Sequence, residues 1–417
     1  MARMRVAVFG LGYVGLPLIR ACITAGHTVV GIDIDQNKVD GLRQGESHID
    51  DVDSAEIQQW LDLGFLPTTD VSALTGMDVY VICVPTPLTK AGGPDLSAVE
   101  AASRAIECVM ERDGATPLVI LESTTYPGTT EEVVKPILEK NGLTAGTDFH
   151  LAFSPERIDP GNKIWTFENT PKIVGGLTEG CADAAEEFYA PITVKVVRTK
   201  GLKEAEMAKL LENTYRHVNI ALVNELAKLS HELGIDIWDV IDAAETKPYG
   251  FQAFRPGPGV GGHCIPIDPN YLSHHVKSEL GQPFRFVELA QEINASMPDF
   301  VIKRAQEMLN EQGRSLKGST VLILGVAYKK DIGDLRESPS VPLIKGLLKR
   351  GATVTFDDPF IDTVTVGERE ITRVDNRGAA IEQADLVILV QDHSAYAGLL
   401  ESIDAQRLLD TRGVTRN

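Results

Sequence analysis

The chain has 417 residues, 43% of them hydrophobic and 24% charged, and carries a formal net charge of −19. That length predicts two or three domains of ordinary globular composition, and the acidic balance excludes nucleic acid as the main partner, because phosphate backbones select basic surfaces. No apolar run approaches the roughly 18 residues of a membrane span, and the five scattered cysteines (Cys22, Cys83, Cys108, Cys181, Cys264), with no Cys-x-x-Cys pair, exclude a disulfide framework and a structural zinc site.

Met4 to Phe9 reads as a strand with no signal peptide before it, which predicts a cytoplasmic protein. It ends in Gly10-x-Gly12-Tyr13-Val14-Gly15, after which Leu16 to Ala25 reads as a helix. This order suits a dinucleotide turn: the first glycine allows the bend, the second lets backbone approach a pyrophosphate, and the third lets helix pack on strand. The helix N-terminus adds positive potential for the phosphates. Thr28 to Ile32 is a second strand, closed by Asp33. A carboxylate at that spacing binds two ribose hydroxyls and disfavours a 2′-phosphate, so NAD is expected rather than NADP; the other reading is a plain glycine-rich turn. Asp78 to Val84, Leu118 to Leu121 and His150 to Phe153 are further strands separated by helical stretches, which predicts parallel βαβ units covered on both faces. Val84-Pro-Thr86-Pro and Ser123-Thr124-Thr-Tyr-Pro-Gly each follow a strand at its C-terminal end, where open α/β sheets hold ligands. Thr86 and Thr124 either bind the nicotinamide half of a cofactor or cap helices. Ser154-Pro-Glu156-Arg157-Ile158, read as following the last strand of this domain, is either part of the site or a polar loop with an ordinary salt bridge.

From Lys203 the pattern changes. Glu204 to Leu233 predicts one long helix, on which Lys209, Asn213 and Arg216 share a face, a stripe that is usually solvated surface. A Gly/Pro-dense stretch, Pro256 to Gly262, leads into Gly261-Gly-His-Cys264-Ile-Pro-Ile-Asp268. Backbone without side chains lets a substrate approach, and an exposed thiol near a cation can ionise and attack; the alternative is a structural thiol. Helical pattern resumes from Phe284 to Asn310. Thr320 to Gly325, Thr353 to Phe356 and Asp385 to Val390 are strands of a second α/β domain, with Val341 to Arg350 as a helix between. A single Gly325 stands where a dinucleotide fingerprint needs three, so this domain is expected to bind something other than NAD. The fold class is α/β: two Rossmann-like doubly wound domains, residues 1–200 and 313–417, joined by a central helical domain, residues 201–312.

These segments together resemble the UDP-glucose/GDP-mannose dehydrogenase family: the fingerprint at 10–15, Pro-Thr-Pro at 85–87, Ser-Thr at 123–124, Ser-Pro-Glu at 154–156, Lys209 with Asn213, Gly-Gly-x-Cys at 261–264, and Lys329 to Ser338 with its Arg-Glu-Ser. Ser-Pro-Glu-Arg-Ile-Asp-Pro-Gly-Asn stands where the UDP-glucose branch has Asn-Pro-Glu-Phe-Leu-Arg. His263 precedes the cysteine where a serine is usual, and Ile267 replaces a lysine. These versions resemble the UDP-N-acetylhexosamine dehydrogenases, and Asp159-Pro-Gly-Asn-Lys with Asp331-Ile-Gly-Asp-Leu-Arg is most similar to the UDP-N-acetylglucosamine 6-dehydrogenases.

The resemblance implies a four-electron, NAD-dependent oxidation of the sugar C6 hydroxymethyl to a carboxylate through a thiohemiacetal and a thioester on Cys264. It gives Lys209 the oxyanion, Glu156 and Asp268 the protons and the hydrolytic water, and Asn213 and Thr124 places in the same catalytic set. Gly10, Gly12, Tyr13, Val14, Gly15, Asp33, Lys38, Thr86, Thr124 and Arg336 are implied to hold NAD. Glu156, Arg157, Ile158, Lys209, Asn213, Arg216, Arg255, Gly261 and Lys329 are implied to hold the UDP-sugar, with no metal. A homodimer through the central helices, or a higher homo-oligomer, is also implied, with the second α/β domain on the UDP end. UDP-N-acetylmannosamine and UDP-glucose are the alternative substrates. Two other classes share part of the pattern. A two-electron hydroxy-acid dehydrogenase has no use for Cys264, and a silent nucleotide-sugar binder has no use for the Cys264, Lys209 and Glu156 set.

Overall fold

A computed structural model describes residues 3–49, 51–89, 92–110, 116–158, 162, 164–262 and 265–415. It divides into two compact units, Met1–Glu212 with Asn270–Glu279, and Asn213–Pro269 with Leu280–Asn417.

The first unit is built on eight strands: β1 (Arg5–Phe9), β2 (Thr28–Ile32), β3 (Leu66–Thr68), β4 (Val79–Ile82), β5 (Leu118–Leu121), β6 (His150–Phe153), β7 (Lys172–Gly176) and β8 (Val196–Arg198). Their spatial order is β3-β2-β1-β4-β5-β6-β7-β8. Successive side chains of a strand point to opposite faces, and the sequence serves both. Val6 and Val8, Val79 and Val81, Leu118 and Ile120 enter one core. Ala7 and Phe9, Tyr80 and Ile82, Val119 and Leu121 enter the other. Helices α1 (Gly15–Thr24), α2 (Gln36–Arg43), α3 (Ser54–Asp62), α4 (Ser97–Val109), α5 (Lys135–Leu138) and α6 (Glu179–Tyr189) accompany the sheet. Burying each Val, Leu or Ile side chain contributes about 1.5–3 kcal/mol, so a doubly covered strand is the stable home for such runs.

Two expectations are corrected here. Ser154 does not follow the last strand of the unit, since β7 and β8 come after it, and the sheet is not wholly parallel, since β6 and β7 pair antiparallel. Strand β7 hides in sequence because it ends in two glycines. A Cβ on Gly175 would lie 2.3 Å from the Gly201 carbonyl oxygen and one on Gly176 2.3 Å from the Ala182 nitrogen, so close backbone approach dictates both.

Helix α7 (Leu202–Glu232) is the expected long helix; its first turns belong to the first unit and the remainder to the second. The second unit adds α8 (Ile237–Glu245), followed by α9 (Asp268–Leu280), of which 270–279 counts with the first unit, and α10 (Arg285–Glu311). Helix α9 was not expected: Pro269 and a polar His-His pair mask it, although proline is at home in a first turn. A four-stranded parallel sheet, β10-β9-β13-β14, uses β9 (Thr320–Leu324), β10 (Thr353–Asp357), β13 (Leu386–Leu389) and β14 (Leu408–Asp410), with a separate hairpin of β11 (Thr363–Val366) and β12 (Arg369–Thr372). Its strands again alternate between two cores. Val321, Ile323, Leu386 and Ile388 meet α10 and α11 (Ser340–Lys349). Leu322, Leu324, Val387 and Leu389 face the side that carries α12 (Arg377–Gln383). No helix among the described residues is long and apolar enough to cross a membrane.

Candidate active site

Every candidate that the sequence placed in the first unit, apart from Lys209, lies at one edge of its sheet, beyond the C-terminal ends of the strands. The three glycines after β1 have three different reasons. Gly10 has φ +95°, and a Cβ there would lie 2.6 Å from the Cys83 carbonyl oxygen. A Cβ on Gly15 would stand 1.9 Å from the Gly10 carbonyl oxygen, so α1 can start only if that residue is bare. Gly12 differs: a Cβ there meets nothing within 4 Å. No atom of the described residues requires it to be glycine, whereas a pyrophosphate approaching the backbone would. Helix α1 has no side-chain cap and no acidic residue in its first turn, which leaves amide N–H groups and positive potential facing that open space. Tyr13 and Val14 complete the turn. Asp33 accepts from the Leu11 N–H at 2.9 Å and from the Asp35 N–H at 3.0 Å, with Lys38 Nζ 3.9 Å away. Its carboxylate therefore ties the glycine loop to the end of β2, and the remaining lone pairs suit ribose hydroxyls. These residues fit a bound NAD.

Thr86, after β4, donates to the Thr124 carbonyl at 2.8 Å, and Ser123 donates to the Val84 carbonyl at 2.7 Å, so side chains stitch the two segments together. Thr125, which the sequence reading passed over, is buried with a hydroxyl that has no partner among the described residues. Glu156 and Lys209 are both buried: Lys209 Nζ donates to the Glu156 carbonyl at 2.5 Å and lies 3.4 Å from its carboxylate. The Ile158 N–H also donates to that carboxylate. A solvated stripe is thus the wrong description for Lys209, because its ammonium is buried against Glu156. Glu206, wholly buried, accepts from the N–H groups of Gly128 (2.5 Å) and Thr130 (2.9 Å), and burial pushes its carboxyl up to about 6. Arg157 forms a two-point pair with Glu212, 2.7 and 3.2 Å, and donates to the Pro171 carbonyl.

In the second unit, Asn213 donates to the Asp268 carboxylate at 2.5 Å, and Asp268 is buried at the start of α9. Arg216 is exposed on α7, and Arg255 pairs with Asp242 and Glu245 at 2.6 and 2.7 Å. His263 and Cys264 lie outside the described residues, as do Asp159 to Gly161. The two glycines before them pack on Tyr328: a Cβ on Gly261 would be 2.7 Å from its Cβ, and one on Gly262 would be 2.8 Å from its ring. The bare backbone is thus already required by the protein itself, whatever a substrate adds. The Gly262 N–H donates to the Arg336 carbonyl at 3.0 Å, and the Arg336 side chain pairs with Asp334 at 2.6 Å.

Lys329 and Arg336 ride on the loop after β9, which is clamped. Asp358, fully buried, accepts from the Val326 and Ala327 N–H groups at 2.7 and 3.0 Å. Burial raises its pKa, but the hydrogen bond from His393 and those from backbone amides outweigh this and hold it below the usual carboxylate range. His393 Nε2–H donates to Asp358 at 3.0 Å, while Nδ1 accepts from the N–H of Asp331, a residue at φ +57°. Asp358, just past the end of β10, thus ties this loop to the neighbouring strand as Asp33 ties the glycine loop of the first unit.

The sequence matches the NAD binding, central and UDP binding domains of one family at residues 4–193, 203–296 and 322–417. The chain belongs to the UDP-glucose/GDP-mannose dehydrogenase family. It is 36% identical to the UDP-N-acetyl-D-mannosamine dehydrogenase of Pyrococcus horikoshii, over 94% of this chain and 90% of that one. It is 37% identical to the UDP-N-acetyl-D-glucosamine 6-dehydrogenase of Pseudomonas aeruginosa, over 96% and 93%. The solved structure of the Pyrococcus horikoshii UDP-D-ManNAc dehydrogenase superposes with a TM-score of 0.89 at 34% identity, covering 99% of this chain and 96% of that one. As a member of this family the protein is an NAD-dependent nucleotide-sugar dehydrogenase, and both the cofactor and the fold class expected from sequence hold.

Proposed function

We propose that this dehydrogenase oxidises the C6 hydroxymethyl of a UDP-N-acetylhexosamine, best UDP-N-acetyl-D-glucosamine, to the uronate, acting in the cytoplasm as a homodimer. The observation that carries the reading is the buried Lys209–Glu156 pair beside the strand ends of an NAD-type sheet. A lysine held at a backbone carbonyl, with a carboxylate at 3.4 Å, is placed to stabilise a developing oxyanion, and Glu156 to move a proton.

NAD, held by Gly10 to Gly15, Asp33, Lys38, Thr86 and Thr124, would accept the hydride in each of two oxidations. Cys264 adds as thiolate to the C6 aldehyde, giving a thiohemiacetal that cannot diffuse away. Its oxidation leaves a thioester, which water cleaves to the carboxylate and the free thiol. Asp268, fixed by Asn213, is the second candidate for orienting that water. Ile158, Arg157, Arg216, Arg255, Gly261 and Lys329 are assigned to the sugar and diphosphate, and Arg336 to the cofactor phosphates. The domain boundaries at about 200 and 312 go with this assignment. The Gly-Gly-His-Cys-Ile-Pro-Ile-Asp run supports an acetamido sugar.

For the dimer, Met207, Leu211, Tyr215, Leu222, Leu226 and Leu229 are 41–63% exposed along α7, and Leu233, just beyond its end, 71%. Steps of three, four and seven make this a stripe that a second helix can cover.

The test is NADH yield at completion with limiting UDP-N-acetylglucosamine, its manno epimer and UDP-glucose in parallel. Two NADH per molecule of one acetamido sugar supports the reading and names the substrate. One NADH per molecule refutes the four-electron chemistry, and none from any sugar refutes turnover altogether.

A further inference from the structure

Behind the first unit's candidate residues lies a charged group that the reaction scheme does not use. Glu122 is wholly buried, immediately before Ser123 and Thr124, and Lys172 is 5% exposed at the start of β7. Lys172 Nζ is 2.9 Å from Glu122 Oε2, at an angle oblique to a good hydrogen bond, and 3.4 Å from the Pro155 carbonyl oxygen. It also stands 5.1 Å above the rings of both Phe167 and Tyr189. The buried Tyr189 hydroxyl donates to the other Glu122 oxygen, and Ser154 is its second polar neighbour. Ser154 itself is buried and donates to the Ile173 carbonyl at 2.6 Å.

An ion pair this deep is a poor way to gain stability, because desolvating two charges offsets their attraction, and well-packed apolar residues in their place are often neutral or better. The group does have a consistent geometric effect. Glu122 ends the strand that delivers Thr124, Lys172 grips the peptide that precedes Glu156, and Glu156 is the residue that Lys209 holds by its carbonyl. Two loops remote in sequence are thereby set to one another by a buried brace, as a supporting shell does for a reacting one.

We propose that Glu122, Lys172 and Tyr189 form a positioning unit that fixes Glu156 and Thr124 for the oxidation. This rests on the reading above that those two residues serve the reaction. None of the three need touch substrate.

The test uses the full-length double variant Glu122→Gln, Lys172→Met, which removes both charges together and leaves no unpaired ion, with Met suited to a slot between two aromatic rings. Amide exchange at residues 123–125, 154 and 156–158 is expected to rise at least tenfold. Turnover is expected to fall about thirtyfold, with the KM for NAD within about threefold of the parent. Exchange and kcat both within about twofold of the parent would overturn the proposal. Should the double variant not fold, Tyr189→Phe removes one hydroxyl only. A fall in kcat of about fivefold at unchanged KM is expected, and parental kcat overturns it. Parent enzyme that makes no NADH from any of the three sugars refutes the proposed function, while the exchange rates still decide for or against the brace.

Discussion

Gly12 and Gly15 are three residues apart and respond to different constraints. A side chain on Gly15 collides with the Gly10 carbonyl, whereas one on Gly12 meets no atom of the described residues within 4 Å. Gly12→Ala should therefore leave the melting temperature within about 2 °C of the parent and weaken NAD binding at least tenfold, about 1.4 kcal/mol. Calorimetric titration with NAD and a thermal melt of the same sample check this, and unchanged affinity would show that the open space is not the pyrophosphate's. Cys264→Ser is expected to abolish NADH formation at steady state, since the weaker serine nucleophile does not trap the aldehyde. Normal turnover by that variant would remove the thiol from the mechanism.

Helix α7 spends one face on the cores and leaves another apolar. Ala205 and Leu210 are buried, as are Ala221 and Val223 further along, while Leu222, Leu226 and Leu229 are about half exposed. Covering the half-exposed side of each of these leucines would contribute roughly 0.7–1.5 kcal/mol, which is what the proposed partner helix would gain. Leu226→Glu with Leu229→Glu should convert the proposed dimer to monomer in sedimentation velocity while far-UV circular dichroism stays unchanged. A parent protein that already sediments as a monomer would refute the interface. The loop after β9 shows the opposite economy: an aspartate and a histidine from separate segments spend their hydrogen bonds holding backbone, so Lys329 and Arg336 project from a fixed frame.

For the molecule as a whole, two buried groups with opposite tendencies shape stability against pH. Burial lowers His217 to about 4. Between its unfolded value of 6.5 and that folded value, only the unfolded chain takes the proton, so stability is lost as pH falls. Burial raises Glu206 to about 6 from 4.5, so the folded chain holds a proton that the unfolded chain has released, and stability is lost as pH rises through that interval. The His217 contribution between pH 7 and 5 is roughly 2 kcal/mol. His217→Leu should therefore flatten the fall in melting temperature on acidification over that range, and Glu206→Gln should steepen it. If both variants track the parent from pH 7 to 4.5, neither group titrates as its burial requires.

The glycine turn, its strand and helix, and Asp33 were legible in the sequence because each is a local property. Backbone conformation, strand alternation and the spacing from turn to carboxylate are all written within some thirty contiguous residues. The same holds for α7 and for the alternating strands of both sheets, whose side chains announce two covered faces. Lys209 was not legible as a buried group, because helical spacing tells which residues share a face and not what that face meets. Strand β7 and helix α9 were missed, since glycines chosen for close packing and a polar first turn look like loop until the neighbour is known. Gly261 and Gly262 looked like room for substrate, and only the fold revealed Tyr328 lying against them. The brace of Glu122, Lys172 and Tyr189 could not be foreseen, because its three members are far apart in the chain and meet only once β5, β7 and α6 have packed. Sequence by itself determined the alternating strands named above, the long helix, the cofactor turn and the family. The tertiary structure alone decided which charges are buried together, since desolvation and pairing depend on neighbours that chain topology supplies.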